Sequence, residues 1–148
     1  MKMSKIYPPH YLILSIVIIL ALDTFTSSYI FGGWVPYLGL IPMLFGISVS
    51  GYAILQFRRA KTNLVPFTKS TTLVIQGLYK YTRNPMYLGM ELLLIGLAIY
   101  TDTSYGWLVV LGFPIIIHNL FIIKEEQQMI DTFGDGYLDY RRQVRRWV

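Results

Sequence analysis

No lysine or arginine lies between Lys5 and Arg58, and none lies between Arg83 and Lys124. Every basic residue falls at the N-terminus, within residues 58–83, or from Lys124 onward. Lys and Arg flanking membrane spans gather on the cytoplasmic side. Each bare stretch must then leave the cytoplasm and return, which predicts an even number of spans with both termini cytoplasmic. Composition agrees: 54% of the 148 residues are hydrophobic and 14% charged, against roughly 25% charged in soluble domains. There is no cysteine, so disulfides, thiolate metal sites and cysteine nucleophiles are excluded.

The apolar runs predict spans at residues 11–31, 37–57, 85–100 and 107–123, to be set against the ~20 residues a bilayer needs. The length suits one unit over residues 1–148, an all-α polytopic membrane helical bundle. Gly32, Gly33 and Pro36 mark the first turn, with Trp34 and Tyr37 suited to the interface. A cleavable signal peptide is not expected, because a second span follows the first at once. The third and fourth runs are short, and residues 101–104 join them in a tight turn. They read either as a hairpin with snorkelling flanks or as helices lining a water-reached site. After residue 123 the composition turns polar. Residues 124–133 predict a helix leaving the fourth span and stopping at Gly134. An amphipathic cytoplasmic tail follows at 137–147, with Tyr137, Tyr140 and Val144 on one face. Its Arg141, Arg142, Arg145 and Arg146 suit anionic headgroups.

The chemistry-bearing stretch is residues 77–89, GLYKYTRNPMYLG. Asn84 and Pro85 predict a helix start, as an N-cap and a first-turn proline. The unpaired N–H groups that follow, near Met86, Tyr87 and Leu88, attract a carboxylate or phosphate, and Arg83 adds donors for the same group. The plainer reading is a capped helix whose arginine snorkels to lipid. Glu91 lies inside the third span one turn beyond Tyr87, and an ionisable residue there is a functional candidate. Its alternative is a protonated carboxyl bonded to a neighbouring helix; Asp23 raises the same question. His118, seven positions from Glu125 and so on nearly the same face, reads as an interhelical hydrogen-bonding residue. No metal-ligand spacing is present, so no metal is expected. Glu125 and Glu126 oppose the macrodipole at a helix end, and a basic ligand or the Arg-rich tail would compensate them.

Gly77, Tyr79, Arg83, Asn84, Pro85, Met86, Tyr87 and Gly89 precede a helical hairpin. Glu125 and Glu126 follow it, then Phe133, Gly134, Tyr137, Tyr140 and Val144. Together these resemble the integral membrane methyltransferases related to isoprenylcysteine carboxyl methyltransferase and phospholipid N-methyltransferases. The segment with Arg59, Ala60, Thr62, Asn63 and Pro66 is similar to small bacterial members, which implies a bacterial inner membrane. The resemblance implies S-adenosylmethionine bound at the cytoplasmic end of the bundle and a lipophilic small-molecule or lipid acceptor arriving from the membrane, with no nucleic acid partner. By position, Arg83, Asn84, Pro85, Tyr87 and Gly89 would form one wall of the cofactor site. Glu125 and Glu126 would form another, with Tyr137 and Tyr140 in the covering tail. Asn84 stands where many members have His, and Leu78 where Pro is common. Glu91, Glu125 and Glu126 are the candidate proton acceptors if the methyl acceptor is an amine. A nicotinamide-dependent membrane reductase, sharing a similar Arg-Asn-Pro-x-Tyr element, and a non-catalytic membrane adaptor are the alternatives.

Overall fold

The computed structural model describes residues 7–26, 29–61 and 72–148. It is helical throughout these residues apart from turns and one isolated bridge between Tyr29 and Thr103. Three helical runs among them are long and apolar enough to cross a bilayer: Pro8–Phe25, Val35–Arg59 and Gly106–Phe133. A fourth, Pro85–Thr101, is apolar but has 17 residues, about 26 Å at 1.5 Å per residue. The expected four-helix membrane bundle is therefore present, with one short member.

Helix α1, Pro8–Phe25, begins on Pro8 and Pro9 and ends at Thr26, whose backbone is extended. The expected span at 11–31 thus starts and stops early, because residues 30–32 are drawn into a clamp. Asp102 Oδ1 accepts the N–H of Ile30 at 3.0 Å and of Phe31 at 2.7 Å, and Oδ2 that of Gly32 at 2.7 Å. A 3-10 turn at Val35–Gly39 leads into α2, Leu40–Arg59, displacing the expected 37–57 span toward the C-terminus. Arg58 and Arg59 close α2, where basic side chains favour the helix dipole.

α3, Pro85–Thr101, runs against α2 through two glycine pairs. A Cβ on Gly96 would sit 2.5 Å from the Gly39 carbonyl oxygen, and one on Gly89 would sit 2.5 Å from that of Gly46. In lipid, where apolar side chains gain nothing by leaving solvent, close backbone packing of small residues is a main source of helix association. The other side of α3 joins Ile19 of α1 and Phe113, Ile117 and Ile122 of the last run in the core. Outward side chains are bare for lipid: Ile41, Leu44, Leu108 and Leu111 are each more than 60% exposed.

The last run is α4, Gly106–Ile117, a π turn at His118–Ile122, and α5, Ile123–Phe133. It is 28 residues long: the helix expected to leave the fourth span at 124–133 is present, and it passes through Glu125 and Glu126 without a break. The tail helix α6, Asp135–Gln143, follows Gly134 at φ 53°, and the chain is extended at Val144. The expected tail helix at 137–147 therefore begins and ends earlier.

Candidate functional site

Glu125 and Glu126 are neighbours in α5, yet their partners differ. Tyr87 stands in the first turn of α3, 8% exposed, and its hydroxyl donates to Glu125 Oε1 at 2.8 Å. Behind it, Tyr79 from the 3-10 turn Gly77–Lys80 is buried, and its hydroxyl has no partner among the described residues. The Tyr140 hydroxyl of α6 donates to the Tyr79 carbonyl at 2.7 Å, tying the tail helix beneath the turn. Tyr79, Tyr137, Tyr140 and Ala53 make a small second core. Burial, with the nearby Glu126 carboxylate, pushes the Tyr137 hydroxyl up to about 12 although Arg83 opposes the shift. Burial likewise raises Tyr140, so these hydroxyls stay protonated as donors.

Glu126 is occupied by two arginines. Arg146 binds it with both ends of its fork, Nε to Oε1 at 2.9 Å and Nη2 to Oε2 at 2.7 Å. Arg83 adds Nη2 to Oε1 at 3.2 Å. The Arg83 and Glu126 side chains are each 8% exposed and Arg146 is 31% exposed. The Arg83 Nε and Nη1 atoms are buried without a hydrogen-bond partner among the described residues. The tail thus compensates Glu126, which lies inside a continuous helix and not at its end, and Arg146 points inward and not to headgroups. Around it the extended segment crosses the turn before α3. The Arg83 N–H donates to the Arg145 carbonyl at 3.0 Å. Thr82 Oγ1 and Asn84 Nδ2 both donate to the Arg146 carbonyl, at 3.2 and 3.0 Å.

Of the residues anticipated from sequence, Arg83, Tyr87, Glu125, Glu126, Tyr137 and Tyr140 gather at this end of the bundle. Asn84 and Pro85 sit at the helix start as expected, but the Asn84 side chain caps nothing and instead holds the tail. Gly89 admits a close backbone approach, that of α2: a Cβ there would also lie 2.7 Å from the Ser50 N. It thus supports the wall from behind. Glu91, half-buried one turn deeper than Tyr87, has Oε2 without a partner among the described residues. His118 and Glu125 do not share a face, because the π turn between them shifts the register by roughly one residue, ~100°. His118 borders a groove on the flank of α4 with Pro114, Ile115, Asn119 and Trp147. Thr62, Asn63 and Pro66 lie outside the described residues. No group of metal-ligating side chains occurs among the described residues. Thr82 joins the site unannounced by any local pattern, while Tyr79 came with the family resemblance and Arg146 with the Arg-rich tail.

Comparison with known proteins fits this arrangement. A family model described as phospholipid methyltransferase matches residues 34–136. The protein-S-isoprenylcysteine O-methyltransferase of Xenopus laevis is 31% identical over 116 residues, 75% of this chain and 39% of that protein. That of Schizosaccharomyces pombe is 30% identical over 79 residues, 51% of this chain and 32% of its own length. An uncharacterized protein of Haemophilus influenzae is 36% identical over 63 residues, its whole length and 43% of this chain. Among solved structures, the eukaryotic intramembrane Ras methyltransferase ICMT superposes with a TM-score of 0.70 at 24% identity. The match covers 95% of this chain and 49% of that one, and it is a likeness of fold. The chain therefore spans half or less of the characterised methyltransferases that it matches.

Proposed function

The chain belongs to the phospholipid methyltransferase family, and on that premise we propose that it transfers a methyl group from S-adenosylmethionine to a lipophilic acceptor at the cytoplasmic membrane face. The observation that carries the reading is the buried Arg83, whose Nε and Nη1 lack partners among the described residues, near the Tyr87–Glu125 pair. A buried unpaired donor is costly, so these Arg83 donors suit an anionic group, and the cofactor's carboxylate is one. Its sulfonium would face Glu125 and the rings of Tyr79 and Tyr87, since carboxylates and aromatic faces both hold cations. The residues present fit the group. The alternatives of a nicotinamide-dependent reductase and a non-catalytic adaptor have no comparable support.

When bound, S-adenosylmethionine supplies an electrophilic methyl carbon on a cationic sulfur. Arg83 would hold its carboxylate, and Glu125 with Tyr87 would hold its sulfonium, so that the methyl carbon would be presented to the acceptor's lone pair. The protein's task is alignment and exclusion of water. An amine acceptor must also lose a proton. Glu126, filled by two guanidinium groups, is unsuited to accept it, which leaves Glu125 and Glu91 for that role. The placement at the cytoplasmic face rests on the positive-inside pattern, because Arg58, Arg59, Arg83 and the tail arginines collect at one end.

Calorimetric titration of the detergent-purified chain tests the reading. Saturable heat with S-adenosylhomocysteine and none with NADPH is the expected result. Folded protein that gives no heat with S-adenosylhomocysteine would refute it.

A further inference from the structure

Glu126 has two oxygens, and a carboxylate matches one guanidinium fork two-to-two. Arg146 occupies that match, leaving Arg83 a single contact to Glu126, through Nη2. The three side chains carry two positive charges and one negative, and Arg83 keeps two buried donors unpaired among the described residues. Glu125, the next acid in sequence, is turned to Tyr87. The Tyr137 hydroxyl interacts with the Arg83 side chain by a hydrogen bond and lies in the field of Glu126 as well, but as a neutral group it supplies no anion. The cluster is one anion short, and the shortage is on Arg83 because Arg146 has claimed Glu126.

We infer that Arg146 is a positioning residue that holds Glu126 off the Arg83 Nε and Nη1 atoms and so leaves those two donors uncommitted for a ligand carboxylate. This rests on the cofactor reading above and adds to it a residue outside the Arg83–Gly89 and Glu125–Glu126 elements. The side chain and the backbone of Arg146 do separate work. The backbone carbonyls of Arg145 and Arg146 dock the tail on Arg83, Thr82 and Asn84, and side-chain truncation leaves those bonds in place. Without the Arg146 fork, Glu126 turns both oxygens to Arg83, the Arg83 donors are consumed, and the carboxylate seat closes.

The test uses two ligands on the full chain in detergent. S-adenosylhomocysteine carries the carboxylate; methylthioadenosine keeps the thioether and nucleoside but lacks it. Arg146→Ala is expected to weaken S-adenosylhomocysteine by about tenfold or more, the scale of a charge-assisted bidentate contact, and to leave methylthioadenosine unchanged. Adding Glu126→Gln to Arg146→Ala removes the competing carboxylate and restores part of the affinity. Arg146→Lys, which keeps the charge without the fork, gives a smaller loss confined to the same ligand. An equal loss for both ligands, the mark of a merely structural tail, overturns the inference, as does no loss for either. A wild-type chain that binds neither ligand removes the cofactor reading itself, and this inference with it.

Discussion

Adjacent positions 125 and 126 show how far environment can separate two identical side chains. Glu126 is a buried carboxylate with two arginines, and removing one member of such a cluster strands the opposite charge. Glu126→Ala is expected to lower stability by about 3–5 kcal/mol, read from denaturant unfolding in detergent. Glu125, with one hydroxyl partner, is the acid available to a cationic ligand. Glu125→Gln keeps the shape and an acceptor oxygen but loses the charge. The expected result is a selective loss: affinity for S-adenosylmethionine falls about tenfold relative to the uncharged thioether of S-adenosylhomocysteine. An unchanged ratio of the two affinities would place the sulfonium elsewhere. Both acids were visible as an anomaly at a helix end. Which of them pairs with Arg146 was not, since the partners are 20 residues apart and join only because α6 folds back beneath the bundle.

At the scale of elements, α3 is the piece on which the site depends, and it is fixed at both ends. Its start was legible in Asn84 and Pro85. Its packing against α2 was not: Gly39 and Gly46 are seven apart, as are Gly89 and Gly96, but spacing alone does not say which helix each faces. Gly89→Val should force α2 and α3 apart at the Gly46 and Ser50 backbone. That costs about 1–3 kcal/mol as overpacking and weakens cofactor binding by shifting Tyr87; a thermal melt with and without S-adenosylhomocysteine reads both effects. At the far end, Asp102 clamps residues 30–32. Burial raises the Asp102 carboxyl, but the N–H groups of Gly32, Phe31 and Ile30 together outweigh it and hold the group below its ordinary value of 3.8. The clamp's contribution is therefore present above that ordinary value and fades as pH falls through the lower folded-state pKa. Wild-type melting temperatures should drop more steeply below pH 4 than those of Asp102→Asn, which lacks the titration. Parallel pH profiles would contradict the clamp.

The whole molecule is a multi-pass membrane protein of a methyltransferase family in which three long helices support one short one. Charge placement and the apolar runs made the helical membrane bundle readable. The run from Gly106 to Phe133 was legible as a fourth span continued by a helix to Gly134, but the π turn inside it was not, because no local pattern marks it. The proposed orientation can be read from the turn after α3: a probe on Tyr105→Cys, a half-exposed position in a chain with no native cysteine, should react only from outside the cell. Labelling only from the cytoplasmic side would invert the bundle and the site with it. The central claim, a carboxylate-holding cofactor pocket built on Arg83, is tested most directly by titrating S-adenosylhomocysteine into purified wild-type and Arg83→Gln chains shown to melt at similar temperatures. The account predicts one saturable site in the wild type and an affinity at least about tenfold lower in the variant. Equal affinities in the two would contradict it.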